Sequence, residues 1–152
     1  FNEIQEITKH NYYQFKVNLW SGIEICALLK NTLVHIIGLG FDTNSEHIQK
    51  YSLGEAQKGQ SLQAENVLEA IRKSNGISVL AHPARYKVPF KELIIEAHKL
   101  NIDAIEVWYD YQRSPVWKPS PLICDQIYKI STSLGLLTTC GTDTHGLNLM
   151  KR

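Results

Sequence analysis

Residues 77–108, ISVLAHPARYKVPFKELIIEAHKLNIDAIEVW, decide the fold class. A short apolar strand is predicted from Ile77 to Ala81, followed by His82-Pro83. A helix is predicted from Pro89 to Leu100, with proline in the first turn, where its missing N–H costs least. A strand from Ala104 to Trp108 comes next. Working outward, a loop broken by Pro115, Pro119 and Pro121 leads into a helix from Leu122 to Ser133, with Gly135 as its stop. The strand Leu136 to Cys140 then runs into Gly141-Thr142-Asp143-Thr144-His145-Gly146. Strand, helix, strand, helix, strand is the pattern of right-handed parallel βαβ units, so the chain is read as α/β.

Upstream the pattern differs. Ile4 and Ile7 follow helical spacing as far as about Asn11, and alternation from Phe15 to Trp20 reads as strand. Strand sequence continues from Ile23 to Leu28, Lys30-Asn31 fits a tight turn, and Leu33 to Phe41 is the returning arm of a hairpin. Residues 42–59 read as an irregular loop holding a turn of helix. Leu62, Val67, Leu68 and Ile71 give the segment Ser61 to Ser74 one apolar helical face, with Asn75-Gly76 as its stop.

Composition bounds the function. A chain of 152 residues, 43% of them hydrophobic, has enough apolar surface for one core, and a single domain over 1–152 is expected. The formal net charge is +1 and the charges are dispersed, which argues against duplex nucleic acid and against anionic membrane as partners. There is no run of eighteen apolar residues, and the first residues lack the pattern of a signal peptide, so a cytoplasmic location is expected. Cys26, Cys124 and Cys140 are too few and too scattered for a disulfide framework or a thiolate zinc site; three mostly buried thiols are expected.

Metal-capable residues gather at strand ends, where α/β folds place function. His82 follows one strand; Asp143 and His145 follow another and, two apart, face one side of an extended chain. Glu24 and His35 lie inside apolar strands, where a charge or an imidazole needs a partner. Each has an ordinary reading taken alone. Glu24 fits a lysine pair or an exposed face, His35 a half-buried aromatic, and Asp143 with His145 simple turn chemistry beside Gly141 and Gly146. His10, His47 and His98 show no ligand spacing and read as surface residues, and Cys140 reads as core.

Five ordered motifs carry a resemblance: Gly22-Ile23-Glu24-Ile25, Val34-His35-Ile36-Ile37-Gly38-Leu39-Gly40-Phe41-Asp42, Val79-Leu80-Ala81-His82-Pro83-Ala84-Arg85-Tyr86, Ile105-Glu106-Val107 and Gly141-Thr142-Asp143-Thr144-His145-Gly146. In this order they resemble the PHP family, named for polymerase and histidinol phosphatase. The resemblance implies a distorted (β/α)7 barrel with two to three divalent ions, manganese, iron or zinc, at the C-terminal ends of its strands. It implies that Glu24 bridges two ions, that His35 and His82 complete the second, and that Asp143 serves the first and His145 the third. Arg85 is similar to a family arginine placed to grip a phosphate, a role that suits its planar fork of donors. Glu106 and Tyr109 are expected near the substrate, with Glu106 facing the cavity from its strand. Trp108, Tyr109, Tyr111 and Trp117 would either stack a base or cover the barrel mouth.

The family pattern opens with His-x-His and then an Asp-His pair, and neither precedes Glu24. The expectation is an upstream segment before Phe1; the alternative is a remnant of the family that binds metal or a partner without catalysis. An incomplete barrel leaves a strand edge that invites a second copy. The activity expected is hydrolysis of a phosphate ester by a metal-bound hydroxide, with Glu24 and Arg85 as the catalytic side chains. The expected substrate is a small phosphorylated molecule, a nucleotide or short oligonucleotide by family analogy.

Overall fold

The computed structural model describes residues 20–54, 56–114 and 116–144. The helix predicted up to Asn11, strand residues Phe15 to Leu19, and His145 lie outside them. One mixed sheet runs in the order β1 (Gly22–Leu29), β2 (Thr32–Leu39), β3 (Ile77–Leu80), β4 (Ala104–Trp108), β5 (Leu137–Cys140). Four helices accompany it among the described residues: α1 (Glu46–Ser52), α2 (Ala64–Lys73), α3 (Phe90–Lys99) and α4 (Pro121–Ser133).

The predicted hairpin forms because Lys30 and Asn31 both take positive φ, 50° and 57°, the conformation whose twist matches antiparallel strands. β2 and β3 are also antiparallel, whereas β3–β4 and β4–β5 are parallel and are joined by α3 and α4. The predicted strand–helix alternation therefore becomes the parallel half of the sheet. Among the described residues β1 and β5 are its margins, and the five-stranded mixed sheet is consistent with part of an α/β barrel.

Strand periodicity divides the sheet into two faces. Ile25, Ala27 and Leu29 of β1 and Val34 and Ile36 of β2 are buried on one of them. There α2 lays down Val67, Leu68 and Ile71, with Ile71 so close to Gly38 that a Cβ at 38 would come within 3.2 Å of it. α3 buries Leu93, Ile94 and Ala97, and α4 buries Cys124 and Ile127. The pairings Ile37↔Val79, Val79↔Ala104 and Glu106↔Thr139 then set Ile37, Val79, Glu106 and Thr139 on the opposite face, together with Glu24 and His35. That face carries the site.

Some boundaries differ from expectation. The helix predicted from Ser61 is split, because Gln63 is extended (ψ 134°) and bridges Leu28; a 3-10 turn, Gly59–Leu62, precedes α2. Pro89 caps α3 from outside its first turn. The thiols are not mostly buried: Cys124 is, but Cys26 stands on the second face of a marginal strand and Cys140 ends the other margin, and both are exposed. Among the described residues no helix is long and apolar enough to cross a membrane.

Candidate metal centre

Cys26 pairs with His35 across the hairpin, so Glu24, two residues back on the same face, is His35's diagonal neighbour, within reach of a long side chain. β3 runs beside β2, and just past its end the Ala81 N–H still donates to the His35 carbonyl at 3.1 Å. The next residue, His82, turns into the left-handed region (φ 30°, ψ 60°), and its side chain is 4% exposed. Three elements thus deliver Glu24, His35 and His82 to one point, with one donor atom from each lying within 4.8 Å of the others.

The spacings are those of ligands. Glu24 Oε1 is 2.8 Å from His35 Nδ1 and 3.5 Å from His82 Nε2. Donors about 2.1 Å from a common ion sit about 3.0 Å apart at right angles and about 3.4 Å apart at tetrahedral angles. Although the His35 contact is short, it lies off the line along which the ring nitrogen donates. His35 Nδ1 and both ring nitrogens of His82 are buried without an aligned hydrogen bond among the described residues. Buried polar atoms left so are costly unless something else satisfies them. Two imidazoles and a carboxylate suit a borderline divalent ion such as manganese, iron or zinc, so the residues fit the implied metal. Electrostatics agree, since His35 and then His82 hold the Glu24 carboxyl far below the usual carboxylate range, against the opposing pull of burial. In return Glu24 raises the His35 pKa.

Glu24 and His82 open onto a cavity of about 220 Å³ that Glu106 and Asp143 also line. Glu106 is 5% exposed, and burial pushes its carboxyl up. Its Oε2 accepts the His82 backbone N–H at 2.7 Å. Asp143 has a left-handed backbone (φ 53°), and its Oδ2 accepts from Arg85 Nη1 at 2.6 Å and from the Tyr109 hydroxyl at 2.7 Å. Arg85 Nη1 also donates to the Tyr109 oxygen at 2.9 Å, so arginine, tyrosine and aspartate close a triangle on the cavity rim.

Of the residues predicted from sequence, Glu24, His35 and His82 form the donor cluster, and Glu106 and Asp143 share its cavity. Arg85 and Tyr109 reach the cavity through Asp143. Base stacking on Tyr109 does not fit the geometry. Its ring is 1% exposed and packed between His82, at 5.3 Å, and Tyr111, at 5.0 Å. Nor is Trp117 a free platform, because its indole N–H donates to the Gly141 carbonyl at 3.2 Å. Cys140, expected in the core, lines the cavity instead. Two contributors had not been singled out from sequence. The Tyr86 hydroxyl accepts the His35 N–H at 2.7 Å and donates to the Ala81 carbonyl at 3.3 Å; Gly141 leaves room for Glu106. Tyr86 follows Arg85 directly, and that proximity was the available signal.

No protein-family model and no curated protein matches the chain. Solved structures that resemble it in fold include the following two. An amidohydrolase from Chromobacterium violaceum, determined with sulfate and no metal, superposes with a TM-score of 0.63 at 15% identity, over 83% of this chain and 67% of its own. A protein from Bifidobacterium adolescentis assigned as a metal-dependent phosphoesterase superposes with a TM-score of 0.68 at 17% identity, over 95% of this chain and 73% of its own. At such identities the likeness establishes the fold: a mixed α/β sheet with helices, shared with proteins of both descriptions.

Proposed function

We propose that this chain is the catalytic body of a metal-dependent hydrolase of PHP type that cleaves a phosphate ester. The observation that carries the reading is the convergence of Glu24, His35 and His82, with buried imidazole nitrogens that lack aligned hydrogen bonds. A divalent ion bound there supplies Lewis-acid charge and lowers the pKa of a water. Glu24 anchors that charge with its ionised carboxylate, and the two histidines donate neutral nitrogen. Asp143 and His145 are proposed as donors to two further ions, one each. Arg85 has Nη1 tied to Asp143 and Tyr109; its fork carries further N–H groups that suit phosphoryl oxygens.

Size and charge support phosphate as the reacting group. A cavity of about 220 Å³ is smaller than the pockets of roughly 300–1,000 Å³ that enclose whole small molecules, so it suits the phosphoryl group while the rest of the substrate lies at the mouth. One protein of like fold is assigned as a phosphoesterase, and another holds sulfate, a tetrahedral dianion like phosphate. A nucleotide or short oligonucleotide is the proposed substrate class. One observation favours a second reading, a metal-binding domain of PHP descent without catalysis. Among the described residues there is one three-donor group, fewer ligands than two-ion hydrolysis uses.

The test is an assay of the purified protein with manganese on a chromogenic phosphodiester, a 3′,5′-bisphosphonucleotide and a matched amide. Metal-dependent cleavage of a phosphate ester that falls to background in Glu24→Ala is the expected result. Cleavage of the amide alone moves the assignment to amide hydrolysis, and metal uptake without turnover of any substrate leaves the binding domain.

A further inference from the structure

β3 and β4 run parallel with Val79 opposite Ala104 and Leu80 opposite Ile105, so continuing the register would bring the residues after Leu80 alongside Glu106. The chain leaves the ladder at His82, whose backbone is left-handed (φ 30°, ψ 60°). A buried N–H without an acceptor is costly, and here the acceptor is a side chain: Glu106 Oε2, at 2.7 Å. The carboxylate's other oxygen reaches the next strand's end. A Cβ built on Gly141 would lie 1.9 Å from Glu106 Oε1, so position 141 admits no side chain while Glu106 stays where it is.

Non-glycine residues at positive φ are uncommon and persist where their surroundings hold them. The conformation of His82 sets the direction of an imidazole that makes no aligned hydrogen bond of its own and otherwise meets only ring contacts, with His35, Tyr86 and Tyr109 at 5.3, 5.5 and 5.3 Å. We propose that Glu106 is a positioning residue: its carboxylate, seated against Gly141, clamps the backbone of His82 and so aims the imidazole at the point shared with Glu24 and His35. This rests on the metal-centre reading above. It separates Glu106 from the ligands themselves, because what it holds is an amide proton.

The experiment compares Glu106→Ala, Glu106→Gln and Gly141→Ala with the parent protein. Manganese and zinc affinities are measured by calorimetry, and the His82 amide is followed by NMR chemical shift and hydrogen exchange without metal. Glutamine keeps a carbonyl oxygen that can accept the His82 N–H; alanine does not. Expected are metal affinities weakened about 10- to 100-fold in Glu106→Ala and Gly141→Ala, and within about threefold of the parent in Glu106→Gln. The His82 amide should lose protection in the first two variants and keep it in the third. Parent-like affinity and His82 protection in Glu106→Ala overturn the proposal. So does a glutamine variant as impaired as alanine, which would make the charge of Glu106 the active feature. If the parent takes up neither ion, the metal-centre reading fails, and the His82 amide still decides whether Glu106 is the clamp.

Discussion

His35 binds a proton more firmly than a free histidine because the Glu24 carboxylate lies 2.8 Å from its Nδ1. A metal ion must displace that proton, whereas Glu24, held far below the usual carboxylate range, is already ionised and gives none up. The sign follows: affinity should be level above the raised pKa of His35 and fall with decreasing pH below it, by about tenfold per unit for one proton. Calorimetry in two buffers of different ionisation enthalpy should count close to one proton released below the raised pKa of His35 and fewer above it. Release of none at any pH between 5 and 8 would show that His35 is not displaced. Among single residues, the conspicuous donors were legible from sequence, but their supports were not. Nothing about a strand glutamate says that its carboxylate will hold a backbone amide of the neighbouring loop, and nothing about Gly141 says which side chain it makes room for.

Among the elements, the hairpin and α2 hold the donor-bearing strands in place. Glu24 and His35 sit on one face of β1 and β2, and Ile71 of α2, fully buried, packs against the other at Gly38. Ile71→Ala should destabilise the protein by about 2–5 kcal/mol, through lost burial and the cavity left behind. A lowered denaturant midpoint with an unchanged slope would register this; a change under about 0.5 kcal/mol would mean that α2 does not brace the hairpin. The hairpin, the two βαβ units and the helix stops were readable from alternation, turn residues and punctuation. The split before α2 was not, because Gln63 is drawn out of helix by a bridge to Leu28, 35 positions back in the chain.

At the scale of the whole molecule, a centre built from β1, β2 and the loop after β3 ties together segments far apart in sequence. An ion that binds only the assembled centre stabilises the fold by mass action, about 2.7 kcal/mol at a hundredfold excess over Kd. Manganese or zinc should therefore raise the melting temperature, EDTA should reverse the rise, and Glu24→Ala should abolish it. A rise that survives in Glu24→Ala would place the ion elsewhere.

Local patterning by itself determined the α/β class and the parallel half of the sheet, because apolar periodicity and turn chemistry act over a few residues; the candidate donors were picked out by the resemblance of their ordered motifs to a known family. Tertiary structure alone decided the company those donors keep. Asp143 is seated between Arg85 and Tyr109, 58 and 34 residues away in sequence; His82 is turned left-handed against Glu106; and Tyr109 is buried rather than open to a base. Such contacts depend on strand register and on which side chain fills the space beside a glycine, and neither exists until the sheet has formed.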